Sequence, residues 1–292
     1  MKIVKTEETI TAVVPVYNEE KALAETIEKL KAVLAEGGFE HEIIVVDDGS
    51  TDRTHEVLSK IEGIQVVTHP VNLGYGKALK TGISRAGGNW IIIIDADGSY
   101  KPEDVPPLLE HRGEYDMVVG LRRGKKSYDS FPKRPAKWFL NRLAGYLAGR
   151  NIPDLNSGMR VFKKDMALRF WHLFPDRFSF TTTLTMCSLG AGYSVEYVSI
   201  DYLKRIGKSK IAPFHFLQFI NLVIKLVIYF QPLKVFVPAS FVIFLLGIFV
   251  ALYSFFFLHR IMDVTVILLL LSSLQVFFFG LLAELIVKRS KE

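Results

Sequence analysis

The sequence predicts an α/β chain with a mostly parallel sheet, followed by a membrane-interface helix and a hairpin of two spanning helices. Two observations carry this. From Thr9 to about Gly120, short Val- and Ile-rich runs alternate with longer amphipathic segments, the pattern of parallel strands covered by helices. From Val235 to Leu258 the chain runs 24 residues without a charge, and Val264 to Val287 is a second 24-residue stretch whose only charge is Glu284. About 20 apolar residues suffice to span a bilayer.

The elements follow in order. "TITAVVPVY" is a strand ending at Pro15, and "EEKALAETIEKLKAVLAEGG" a helix with a Gly stop. "HEIIVVDDGS" is a strand and a turn, and "TDRTHEVLSKIEG" a helix that Thr51 or Asp52 can cap. "IQVVTH" is a strand, "GYGKALKTGISRAGG" a helix, and "WIIIIDADG" a strand buried on both faces. "PEDVPPLLEHR" is a short helix with Pro102 near its start, and "YDMVVG" a strand. "RRGKKSYDSFPKR" reads as a basic, turn-rich loop and "PAKWFLNRLAGYLAG" as a helix. "DLNSGMRVFKKD" holds a short strand with polar flanks. "TTTLTMCSLGAG" is a helix, "YSVEYVSI" a strand, and "DYLKRIGKSKI" a basic loop. In "PFHFLQFINLVIKLVIYFQ", His215, Gln218, Asn221 and Lys225 recur near one helical turn, which suits a helix lying in the membrane interface; a third span is the alternative. The boundaries expected are 1–210 for the α/β domain, 211–234 for the juxtamembrane helix, 235–287 for the hairpin and 288–292 for a tail.

The N-terminal "MKIVKTEETITAVVPVY" lacks the apolar core of a cleavable leader. Lysines and arginines cluster before the first span and after the second, so the positive-inside rule puts the large domain and both termini in the cytoplasm. The single Cys187 excludes an internal disulfide. A net charge of +6 suits anionic headgroups near the spans, and no nucleic-acid motif is present.

Chemistry concentrates at strand ends. "PVYNEE", "VVDDGS" and "IDADGS" all fall at carboxyl ends of strands, where such sheets bind ligands. Asp95 and Asp97 follow four isoleucines. Alternate strand residues share a side, so both carboxylates can approach one hard cation, Mg²⁺ or Mn²⁺, shared with a phosphate; Gly98 lets the backbone turn closely. Asp47 or Asp48 can accept from a base N–H while the other caps the "DDGS" turn. Tyr17 can pack on a base and Glu19 can receive a ribose hydroxyl. Arg122 and Arg134 are candidates for a phosphate, which the planar guanidinium matches. Asp154 and Arg160 either shape a sugar pocket or brace the fold. His69 and His215 read as structural, and Gly74 and Gly76 lack Walker A spacing.

Taken together, "PVYNEE", "VVDDGSTD", "NLGYGKAL", "IDADGSY" and "NSGMRVF" resemble family 2 glycosyltransferases of the GT-A fold. With "KRIGKSK" and the C-terminal hairpin, the chain is similar to polyprenyl-phosphate glycosyltransferases, including dolichol-phosphate mannose synthases. The resemblance implies that Pro15, Tyr17, Glu19, Val46 and Asp48 hold the nucleoside. It puts Asp95, Ala96 and Asp97 at the diphosphate and its Mg²⁺ or Mn²⁺, and Arg122 by the phosphates. It has Arg205 and Lys210 close over the diphosphate. Mannose synthases often carry Gln where this chain has Ser99. The Q-x-x-R-W motif of polymer-making synthases is absent. The implied partners are a nucleotide sugar, a polyprenyl phosphate and the membrane. Sugar identity, UDP against GDP, and a homo-oligomer are left open by the sequence.

Overall fold

In the computed structural model, residues 9–123, 145, 149, 152–177, 179–203, 224–257 and 263–289 are described. The chain divides into two compact units, one carrying the sheet and the other both long C-terminal helices.

The first unit follows the expected alternation: β1 (Ile10–Val16), α1 (Leu23–Glu36), β2 (His41–Asp47), α2 (Thr54–Leu58), β3 (Gln65–Thr68), α3 (Tyr75–Arg85), β4 (Trp90–Ile93), α4 (Val105–Glu110) and β5 (Met117–Arg123). Then come β6 (Arg160–Lys163), α5 (Lys164–Arg169), α6 (Phe180–Gly190) and β7 (Val195–Asp201). The seven strands run in the order β3-β2-β1-β4-β6-β5-β7. All pairings are parallel except those of β6, which is antiparallel to both β4 and β5. Because β6 is reversed, its amino end lies beside the carboxyl ends of β4 and β5.

Both faces are covered, as strands of near-continuous Val and Ile require. Ile10, Ala12 and Val14 of β1 pack in a core with Leu23, Ile27 and Leu30 of α1 and Val105 and Leu108 before α4 ends. Val13 points the other way, to α3, where a Cβ on Gly82 would lie 2.3 Å from its Cγ1. Ile91 to Ile94 are fully buried. Pro15 sits beyond Val13↔Ile93, the last β1–β4 pair, where β1 keeps only the β2 neighbour. A missing N–H is tolerated where a strand is open on one side. The N-cap of α2 is Arg53 and not the expected Thr51 or Asp52; Asp52 sits one residue before it, its carboxylate accepting the Thr54 N–H at 3.0 Å.

In the second unit, residues 224–230 are helical, and α7 (Leu233–Phe257) and α8 (Asp263–Arg289) form an antiparallel pair. Both are long and apolar enough to cross a membrane, and only 11% of each most apolar window is buried. Helices buried in the core of a soluble protein would be mostly covered, and these are not. Ser240, Gly247 and Ser254 form a buried row seven residues apart on α7, matched by Ser273 and Gly280 on α8. Small residues let the backbones approach, the usual basis of helix association in lipid; a Cβ on Gly280 would lie 2.6 Å from that of Phe236. The helix expected in "PAKWFLNRLAGYLAG", the "RIGKSK" loop, most of "RRGKKSYDSFPKR" and the first half of the juxtamembrane helix lie outside the described residues.

Candidate active site

The carboxyl edge of the sheet gathers the polar clusters. At the ends of β1 and β2, Pro15 and Val46 are register partners and both buried. Tyr17 is half-buried and Glu19 is buried. Asn18, a residue the sequence reading passed over, takes a left-handed φ of 54° and ties the two loops together. Its N–H donates to Ser50 Oγ at 2.9 Å, and its Oδ1 accepts the Thr51 N–H at 2.7 Å. The Glu19 N–H donates to Thr54 Oγ1 at 3.0 Å. Left-handed backbone favours Asn among non-glycine residues, and that was the signal available in "YNEE".

The two aspartates after β2 divide their work. Asp47 caps the turn, accepting the Ser50 N–H at 3.0 Å. Asp48 is buried, and its carboxylate accepts the N–H groups of Leu73 at 3.0 Å and Gly74 at 2.8 Å. His69 Nδ1 lies 2.7 Å from the same carboxylate and its Nε2 lies 2.9 Å from Thr81 Oγ1. A carboxylate oxygen accepts, so the ring donates from Nδ1. His69 is structural, as its sequence context indicates, and Asp48 braces the turn leading into α3.

Asp95 and Asp97 differ from the sequence expectation in one respect. The strand ends at Ile93, and residues 96–99 bend, with Gly98 at φ 72°. Strand alternation therefore does not set the two carboxylates. Separate donors do: the Tyr75 hydroxyl donates to Asp95 Oδ1 at 2.9 Å, and the Ser99 N–H donates to Asp97 Oδ1 at 2.9 Å, joined by the Ser99 hydroxyl. Asp97 and Ala96 are buried, and Asp95 is half-buried. Burial, with the Asp95 carboxylate beside it, pushes the Tyr75 phenol well above its usual range, so it keeps its proton and acts as a hydrogen-bond donor. Among the described residues, no three His, Cys, Asp or Glu side chains converge on one point as a metal cage. Two hard carboxylates at a sheet edge fit an ion that takes its remaining oxygens from a phosphate and water.

Arg122, near the end of β5, forms a planar pair with Asp154: Nε to Oδ2 at 2.7 Å and Nη2 to Oδ1 at 2.8 Å. Its guanidinium also lies 5.0 Å from the centre of the Tyr202 ring. Asp154 is buried and Arg122 nearly so, at 1% and 11% side-chain exposure. Burial by itself lowers the arginine pKa, and the neighbouring Tyr100 and Asp154 outweigh it, so the cation is held firmly charged. Two of its five N–H groups are used by Asp154. Arg160 is fully buried and donates to Ser157 O, Thr181 O and Thr185 Oγ1. It pins the 154–158 loop to α6, which makes it a brace. Arg134, Arg205 and Lys210 lie outside the described residues.

The site is thus a pair of carboxylates beyond β4, on a mostly parallel sheet with one reversed strand. The chain matches Glycosyl transferase family 2 over residues 11–171 and the GtrB C-terminal hairpin over residues 231–288. It belongs to glycosyl transferase family 2, with a GtrB-type hairpin at its C-terminus. The uncharacterized protein MJ1222 of Methanocaldococcus jannaschii is 36% identical over 203 residues, covering 65% of this chain and 80% of that protein. Glucosyl-3-phosphoglycerate synthase from Mycobacterium tuberculosis, bound to phosphoglyceric acid, shares the fold with a TM-score of 0.61 at 22% identity. The match covers 75% of this chain and 80% of that one. A second structure of that synthase, with Mn²⁺, UDP and glucosyl-3-phosphoglycerate, gives a TM-score of 0.60 at 21% identity, with the same coverages. Another contains Mg²⁺ and UDP, with a TM-score of 0.59 at 21% identity, covering 75% of this chain and 79% of that one. The GT-A fold expected from the sequence is thereby established.

Proposed function

We propose that the protein transfers one sugar from a nucleotide diphosphate sugar to a polyprenyl phosphate, with inversion, at the cytoplasmic leaflet. The observation that carries this is the pairing, on one chain, of a carboxylate-bearing sheet edge with a GtrB-type hairpin. Arg122 on that same edge, oriented by Asp154, supplies the phosphate-binding group such an acceptor needs.

Pro15, Tyr17, Glu19, Val46 and Asp48 line the nucleoside side, and Asp95, Ala96 and Asp97 the diphosphate side. Mg²⁺ or Mn²⁺, held by Asp95 and Asp97, supplies charge to the diphosphate when bound. The acceptor is a phosphate monoester. Its second pKa lies near about 6, so it is already largely anionic at neutral pH and needs no strong general base. The chain's part is to position two anions and to stabilise the leaving diphosphate. Arg122, with Arg134, holds the acceptor phosphate, its remaining N–H groups being those Asp154 does not use. Arg205 and Lys210 close over the leaving group. Residues 1–210 carry the chemistry, 211–234 lie in the interface, 235–287 anchor the enzyme, and 288–292 form a cytoplasmic tail.

The test is a thermal-shift panel of UDP- and GDP-sugars with and without Mn²⁺, followed by transfer assays in bilayers. The expected result is metal-dependent stabilisation by one donor and transfer to polyprenyl phosphate. Transfer only to diacylglycerol, or no donor binding with metal, would overturn the proposal.

A further inference from the structure

We infer that Tyr75 is a positioning residue for Asp95, and that through it the nucleoside and diphosphate ends of the site are held in one register. This rests on the reading of Asp95 as a metal and diphosphate ligand given above.

Two glycines decide where Tyr75 goes. Gly74 has φ 108°, and a Cβ there would lie 2.8 Å from Arg177 Cα. A Cβ on Gly76 would lie 2.1 Å from the Pro175 carbonyl oxygen. Bare backbone on both sides of Tyr75 thus lets residues 175–177 cross the start of α3. The crossing segment takes up the first helical amides: Gly76 N–H donates to Arg177 O at 2.9 Å and Lys77 N–H to Asp176 O at 2.6 Å. Lys80 Nζ adds a contact to the Asp176 carboxylate at 2.8 Å. From the other side, the Asp48 carboxylate holds the amides of Leu73 and Gly74. The backbone of Tyr75 is therefore clamped on two sides, and its hydroxyl reaches Asp95 Oδ1.

Asp95 is backed by a third glycine. A Cβ on Gly158 would lie 2.3 Å from Asp95 Oδ2 and 2.9 Å from its Cγ. The carboxylate sits between a phenol and bare backbone, so its orientation follows from Tyr75 and from the tight approach of the 158 position. Asp48, the 73–74 amides, Tyr75 and Asp95 form one continuous chain of contacts from the end of β2 to the end of β4. Groups that orient a metal ligand are worth about 10–100-fold in metal affinity.

The experiment is calorimetric titration of Mn²⁺ into the full-length protein saturated with UDP or GDP, whichever the wild type binds. Tyr75→Phe keeps the ring and removes only the hydroxyl. It should weaken Mn²⁺ binding by about 10–100-fold while nucleotide affinity measured in a chelator stays at the wild-type value. Gly158→Ala, which crowds Asp95 from the opposite side, should also weaken Mn²⁺ binding, and an unchanged affinity there would overturn the dependence of the ion on Asp95 orientation. Asp95→Asn separates the two levels. Unaltered Mn²⁺ affinity in Asp95→Asn overturns the assignment of Asp95 itself. Weakened Mn²⁺ binding in Asp95→Asn with wild-type binding in the folded Tyr75→Phe protein overturns the positioning role alone. Equal loss of nucleotide affinity without metal would mark Tyr75 as a general structural residue and also overturn it.

Discussion

Asp154→Ala strands a cation. The Arg122 guanidinium is held by two hydrogen bonds of 2.7 and 2.8 Å to a carboxylate with 1% side-chain exposure. Removing one partner of such a buried pair costs about 3–5 kcal/mol, because the remaining charge stays desolvated. For a folding unit of this size, each kcal/mol lowers Tm by about 2–4 °C, so the loss should be roughly 6–20 °C. Arg122→Ala should cost less, because the Asn156 N–H still donates to Asp154 at 3.2 Å. The double variant should be no worse than Asp154→Ala alone, since no unpaired charge is left behind. Tryptophan fluorescence reads this cleanly: Trp90, Trp138 and Trp171 are the chain's three tryptophans, and all precede the hairpin. Thermal melts of the four proteins complete a double-mutant cycle. If the two single losses add, the pair is not coupled and the account of Arg122 as an Asp154-oriented group is wrong.

Other perturbations have equally definite outcomes. Asp97→Asn keeps an Oδ1 for the Ser99 donors, so the fold should hold while sugar transfer falls by about 10²–10³ or more; near-wild-type turnover at saturating Mn²⁺ would refute its assignment. Gly82→Ala drives a Cβ to 2.3 Å from Val13 Cγ1 in the packed core and should destabilise by about 1–3 kcal/mol, read as a lower Tm; an unchanged Tm would mean α3 can lift off β1 freely. For Asp116, burial works against ionisation, but Lys163 and the Ser194 N–H and hydroxyl outweigh it and hold its pKa below the usual carboxylate value. A depressed folded pKa gives stability that is full above the unfolded value of about 3.9 and is lost as pH falls through the folded one. The Tm gap between wild type and Asp116→Asn should therefore be constant from neutral pH down to about 4 and close below it; a gap that instead widens on acidification would reverse the assignment.

How much of this was legible in sequence depends on the range of the interaction. Strands and helices from Ile10 to Arg123 follow from local apolar periodicity and Gly stops. So does the hairpin, where two 24-residue runs leave no polar face to cover. The carboxylates Asp95 and Asp97 were legible because a buried strand that ends in acids is locally anomalous. What surrounds them was not. Period-2 patterning says which face a side chain takes, and not which strand lies beside it. Only the tertiary structure inserts β6 backwards between β4 and β5, which brings Gly158 against Asp95 and Asp154 onto Arg122 across 63 and 32 positions. Likewise "LGYG" looks like a failed phosphate loop until residues 175–177 are seen crossing it and Tyr75 is seen bound to Asp95. Residue types declared the chemistry, because charged groups at strand ends are costly without a partner. Their partners were decided by register and chain crossing, which hydrogen bonding and close packing fix only once distant segments meet.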